Sequence, residues 1–189
     1  HGSVENVGST NDGLRFREAL RGRFFWALSL AYIFLMAAQV GGIAHQYGLV
    51  REQLSEAETA IAVAILPVFS IIGRLFGGWI VGQISIRKFA IVMMFLQALS
   101  LSLLSIGYSA LTLCVGLAIF GASVGNLLML PPLLIAEAFG VRDYAKIFSL
   151  SNLMSSWGTA MGPAVLGIVY AANTNLYQWP YAAAAMSGA

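Results

Sequence analysis

The chain has 189 residues, 59% of them hydrophobic and only 10% charged, with a net charge of +2 and a mean hydropathy of +0.80. A soluble domain carries about 25% charged residues, so this chain lacks the cover that a water-facing surface needs, whereas a lipid-facing surface needs none. The small net charge gives no basis for nucleic-acid binding, and the single cysteine, Cys114, excludes an internal disulfide or a cysteine-based zinc site; in its apolar run it reads as a small packing residue.

Residues 1–23 are polar and then arginine-rich, and predict a cytoplasmic linker feeding a membrane helix, with no signal peptide ahead of it. A membrane helix needs roughly 20 mostly apolar residues. The transmembrane bundle predicted over residues 24–189 has five such stretches, at about 24–45, 59–84, 89–106, 110–136 and 147–171. A sixth begins near Pro180 and stops too soon to cross. The chain starts at His1 and ends at Ala189 inside that segment, so truncation at both ends is the expectation. The predicted fold class is all-α, a polytopic membrane helix bundle.

Lys and Arg concentrate on the cytoplasmic side of membrane proteins. Arg15, Arg17, Arg21 and Arg23 precede the first span, Arg87 and Lys88 follow the second, and Arg142 and Lys146 follow the fourth. The intervening breaks hold only Arg51, beside Glu52, Glu56 and Glu58, or no basic residue. The alternation predicts a multi-pass protein of the cell (inner) membrane with its N-terminal linker inside. Phe24, Phe25 and Trp26 fit an inner aromatic belt, and Tyr177, Trp179 and Tyr181 an outer one.

Small residues let membrane helices approach closely. The spacings Gly73-x3-Gly77, Gly78-x3-Gly82, Gly121-x3-Gly125 and Gly158-x3-Gly162 fit such contacts. Pro67, Pro131, Pro132 and Pro163 lie within spans, where proline removes a backbone donor and kinks a helix.

Arg74 is the exceptional residue. Apolar sequence flanks it on both sides, and it lies about ten residues, hence about 15 Å, from the basic turn that begins at Ser85. That is near the centre of a core about 30 Å thick, where a charge costs about 3 kcal/mol or more. No span of this chain contains an acid to meet it; Glu137 is at the end of the fourth. Its planar fork suits a carboxylate, either of a substrate or of a structural partner outside the chain. Gln39, Tyr32, Ser70, Asn126, Asn152, Ser155, Ser156 and Trp157 are candidates to line the same cavity, with interhelical hydrogen bonding as the plainer reading of each. Solvent contact is the default for His45 at the end of the first span.

The run GRLFGGWIVGQISIRK, Gly73–Lys88, resembles the loop motif that follows the second helix of each half in the major facilitator superfamily. Gly73, Gly77 and Gly78 supply its glycines, Gly82 and Gln83 replace its acid and arginine, and Arg87 and Lys88 keep its basic pair, so the charge-relay gating role of the intact motif is not expected. Residues 130–153 resemble the stretch joining the tenth and eleventh helices of such carriers, and residues 161–167 resemble the eleventh helix. The resemblance implies the C-terminal six-helix half of a twelve-helix fold, covering helices seven to eleven and the start of the twelfth. Within the superfamily the chain is most similar to monocarboxylate carriers and oxalate/formate exchangers, whose eighth helix carries a carboxylate-binding arginine at the position of Arg74. The acid that monocarboxylate carriers have one turn earlier is Ser70 here, and the second basic residue of oxalate exchangers is missing.

The resemblance implies a secondary transporter that moves a small organic anion, a monocarboxylate, by alternating access. Its partners would be membrane lipid, the anion and an N-terminal six-helix half. A carrier of a neutral solute or drug, with Arg74 in a structural ion pair, is the alternative within transport, and a non-transporting membrane assembly protein is the alternative outside it. No catalytic cluster, phosphate loop or metal-ligand set is present, so no enzyme activity, cofactor or metal is expected.

Overall fold

The computed structural model describes residues 13–107, 109–173 and 176–188. They form eight helices: α1 (Phe16–Arg21), α2 (Arg23–Arg51), α3 (Glu56–Val81), α4 (Ile86–Ile106), α5 (Ala110–Leu127), α6 (Leu130–Phe139), α7 (Tyr144–Ala172) and α8 (Gln178–Gly188). The fold is all-α, a membrane helix bundle. The one extended pairing among the described residues is a bridge between Gly13 and Gly140.

The helices begin and end where local chemistry directs. Ser55 opens α3 with its backbone N–H donating to the Glu58 carboxylate at 3.0 Å, one arm of a capping box. The Ser109 hydroxyl accepts from the N–H of Thr112 and opens α5. Gly140, at φ 73, closes α6 in a conformation that suits only glycine well.

Several boundaries differ from the sequence reading. The first span does not stop at His45; α2 runs on to Arg51, because the charged residues there emerge from the bundle without breaking the helix. The linker contains α1, a six-residue helix too short to leave a periodic signal. The fourth span is broken into α5 and α6 at Leu128–Met129, just ahead of Pro131 and Pro132, and reaches Phe139. Residues 1–12, part of the predicted linker, lie outside the described residues, as does part of each turn predicted at 107–109 and 173–178.

Among the described residues, four helices are long and apolar enough to cross a membrane: α2, α3, α4 and the α5–α6 unit. The fifth predicted span, α7, equals α2 in length at 29 residues. Serine, asparagine and threonine between Ser149 and Thr159 interrupt its apolar run.

Packing follows two patterns. α2 lies along α7 and α3 along α5, while α4 rests on α5 and α8. The first two pairs are seamed by glycine. A Cβ on Gly73 would lie 2.7 Å from the Ala122 backbone, and one on Gly41 would lie 2.9 Å from the carbonyl oxygen of Gly162. Gly121 and Gly125 press on α3 at Leu66 and Ser70, and Gly158 and Gly162 on α2 at Ile33 and Ala37. Gly78 and Gly82 differ from the other pairs in meeting no neighbouring helix among the described residues. A side chain at Gly78 would meet open space, and one at Gly82 only the Trp79 carbonyl of its own helix. The α4 contacts are made by bulk instead, with Leu101, Leu104, Leu113, Leu117 and Phe120 in one core cluster.

A second core cluster joins Phe25, Leu28, Tyr32, Phe89, Leu130 and Phe139 at the end of the bundle that carries α1, here the linker end. Two belt assignments change accordingly. Phe25 is buried in this cluster, and Tyr181 is buried in the other, its hydroxyl donating to the Gly42 carbonyl at 2.6 Å. Phe24, Trp26 and Trp179 remain exposed.

Candidate functional site

The break between α5 and α6 organises the polar groups. Pro131 has no N–H to offer the carbonyl four residues earlier, at Leu127. The Met129 N–H bonds to Asn126 O at 3.0 Å, which leaves Gly125 O without the partner a continuous helix would supply. Two of the predicted residues meet these carbonyls. Arg74 Nε donates to Gly125 O at 3.1 Å, and the Tyr32 hydroxyl donates to Leu127 O at 3.4 Å.

Arg74 reaches its carbonyl because Gly125 has no side chain; a Cβ there would sit 3.1 Å from the Arg74 Cγ. The single bond to a neutral acceptor does not balance the charge. No carboxylate lies within ion-pair distance of the guanidinium among the described residues. Arg74 is exposed on α3, flanked on the same helix by the exposed Ile71, Leu75 and Phe76. Ser70, one turn earlier, is half-buried against α5, with its backbone at Gly125.

Asn126 fastens α5 to α3. Its amide donates to Gly73 O and to Ala122 O, each at 2.9 Å, and its oxygen fills the space left by the missing side chain of Gly77. Gly73 and Gly77 of the loop-motif run are therefore seam residues. Arg87, at the end of that run, stands 3.4 Å from the Glu137 carboxylate and over the Phe24 ring at 5.4 Å, while Lys88 is exposed. Those contacts tie the α3–α4 turn to α6 and α2.

Tyr32, Asn152 and Ser155 come together around a small cavity of about 60 Å³, closed by Met36, Leu127, Leu128 and Pro131. Such a volume holds one or two waters. Ser156 is exposed and donates back to Asn152 O in its own helix. Trp157 is 65% exposed and lines an apolar groove of about 340 Å³ between α2, α7 and α8, together with Ile33, Phe34 and Met161. The structure thus groups the candidates in two sets: Arg74, Ser70 and Asn126 on the α3–α5 seam, and Tyr32 and Asn152 at the α2–α7 side of the helix break.

Gln39 belongs to neither set. It is fully buried on α2, and both polar atoms of its amide lack a hydrogen-bond partner. Leaving such a group unpaired costs about 1–3 kcal/mol. The sequence reading missed Gln97, also fully buried, whose amide donates to Leu35 O at 3.3 Å and leaves its oxygen unpaired. A glutamine inside an apolar run was the available signal. His45 is half-buried and also makes a contact the sequence did not suggest. A ring nitrogen lies 3.0 Å from Pro163 O, which couples α2 to the proline of α7. Cys114 packs half-buried beside the core.

Among the described residues, no group of His, Cys, Asp and Glu could hold a metal ion. None of the curated proteins compared with the chain matches it. The family model of the Major Facilitator Superfamily matches residues 15–189, nearly the whole chain, and the all-α bundle of long apolar helices agrees with it. The chain belongs to the Major Facilitator Superfamily of membrane transporters.

Proposed function

We propose that the chain forms the C-terminal half of a secondary transporter for a small organic anion, a monocarboxylate, and that Arg74 holds the carboxylate. One observation carries the reading: Arg74 stands deep in an apolar helix, donates one bond to a neutral carbonyl, and has no acid beside it among the described residues. An arginine at that depth calls for an anion, and the outer nitrogens of its fork suit a carboxylate. The helix break supplies the setting, since α5 opens its carbonyls where Arg74 and Tyr32 reach them. The two halves would rock about this site, exposing it to each side in turn. Its membrane would be the inner membrane of the cell, with the linker end in the cytoplasm.

The exposure of Arg74 favours a second reading. A side chain on the outside of this bundle also suits an ion pair with an acid of the other half, in a carrier of a neutral solute. Uptake by the complete transporter in proteoliposomes separates the two. The carboxylate reading expects uptake of a labelled monocarboxylate that Arg74→Ala and Arg74→Lys abolish while the protein remains folded. Normal uptake by Arg74→Ala, or indifference to every carboxylate tried, would overturn it.

A further inference from the structure

The linker end carries a basic surface with a built support. α1 is amphipathic. Ala19 is fully buried, and Phe16 and Leu20 pack against the core cluster below it, while Arg17 and Arg21 point outward with Arg23 just beyond. Two backbone N–H groups pin this strap to the α6–α7 turn. Leu14 N–H donates to Phe139 O at 2.9 Å, within the Gly13–Gly140 bridge, and Phe16 N–H donates to the Asp143 carboxylate at 2.9 Å. A side chain on Gly13 would come within 2.6 Å of Phe139 O. At its other end the Trp26 indole donates to Leu20 O at 2.8 Å, so the strap is fixed to an exposed tryptophan of the aromatic belt.

The arginines on this strap are not neutralised. Glu18 is the one acid of α1, and its carboxylate accepts from the Arg15 backbone N–H. The ion pairs at this end join Arg87 to Glu137 and Lys146 to Asp143. Arg17, Arg21 and Arg23 have no carboxylate within ion-pair distance among the described residues.

We infer that α1 is a docking surface for the headgroups of anionic phospholipids, with Arg17, Arg21 and Arg23 as the contacting residues. Unpaired arginines on an amphipathic helix at the mouth of a membrane span are complementary in charge and depth to an anionic lipid surface. The pins hold the guanidinium groups at headgroup level before any lipid arrives, so little ordering is left for binding to require. The assignment needs the membrane but no particular substrate. It rests on the proposed orientation only for which leaflet is read.

Native mass spectrometry of the purified complete transporter tests this without a transport assay. Phosphatidylglycerol and phosphatidylcholine are titrated against the wild type and an Arg17→Gln/Arg21→Gln/Arg23→Gln variant. The wild type is expected to prefer phosphatidylglycerol by about tenfold or more, at the usual effect of each basic residue near an anionic surface, and the variant to lose that preference. Lysine at the same three positions is expected to retain most of it, which shows that a loss in the glutamine variant is not misfolding. An unchanged preference in the glutamine variant would overturn the inference. So would an equal loss in Lys88→Gln/Arg142→Gln, or competition by inorganic phosphate as effective as the lipid.

Discussion

Helices α3 and the α5–α6 unit have equal mean hydropathy, yet 22% of the most apolar stretch of α3 is buried in the bundle, against 61% for α5–α6. The charge is on the exposed partner. α3 carries Arg74 among outward-facing Ile71, Leu75 and Phe76, whereas α5 has no charged residue and buries Phe120, Val124 and Asn126. Hydropathy measures compatibility with an apolar medium and does not distinguish lipid from protein as that medium. A seam of small residues makes the distinction, because it fixes which faces meet.

The comparison breaks most completely at that seam. Gly121→Leu places a side chain against the Leu66 carbonyl. Overpacking of this kind is expected to cost about 3 kcal/mol, with loss of monodisperse protein in size-exclusion chromatography. Gly78→Leu on the face of α3 that this bundle leaves open is the control, and it is expected to lower the thermal midpoint less than Gly121→Leu because no atom of this bundle opposes the added side chain. A similar collapse in both variants would show that the seam is not what separates the two faces.

A smaller effect follows at Asn126. Replacing it with Ala removes the amide bonds to Gly73 O and Ala122 O and is expected to cost about 1 kcal/mol, in the range of interhelical bonds in membranes. Denaturant titration of the purified protein reads it.

The smallest effect lies away from the seam, at the strap. The backbone N–H of Phe16 and then the Lys146 ammonium hold the Asp143 carboxyl below the usual carboxylate range. A lowered folded value means that the pin is intact above the ordinary aspartate pKa of about 3.9 and weakens as pH falls through the lower folded value. Hydrogen exchange at Phe16, taken as a protection factor against the intrinsic rate at the same pH, is expected to be protected in the wild type at neutral pH and to lose that protection in Asp143→Ala. Equal protection factors in the wild type and Asp143→Ala would remove that carboxylate from the strap.

The sequence made the long helices legible because apolar runs of that length are what a bilayer requires. It also exposed Arg74, since a charge in such a run has no other explanation than a partner. Side-chain surroundings were not legible. Tyr181 and Trp179 are neighbours in one aromatic cluster, yet Tyr181 is buried because Gly42 leaves a carbonyl open to it, a contact between residues far apart in sequence. The position of the α5–α6 break was missed for a similar reason. A proline deprives the carbonyl four residues earlier of its donor, so the backbone departs from the helix ahead of the prolines.

The account centres on Arg74 as an anion-binding residue, and ligand-dependent stability measures that most directly. The thermal midpoint of the purified complete transporter is followed as a panel of monocarboxylates is added, for the wild type and for Arg74→Ala. A ligand that binds the folded state raises the midpoint in proportion to its affinity and concentration. The account predicts a concentration-dependent rise for at least one carboxylate in the wild type and none in Arg74→Ala. The same rise in both proteins would contradict it.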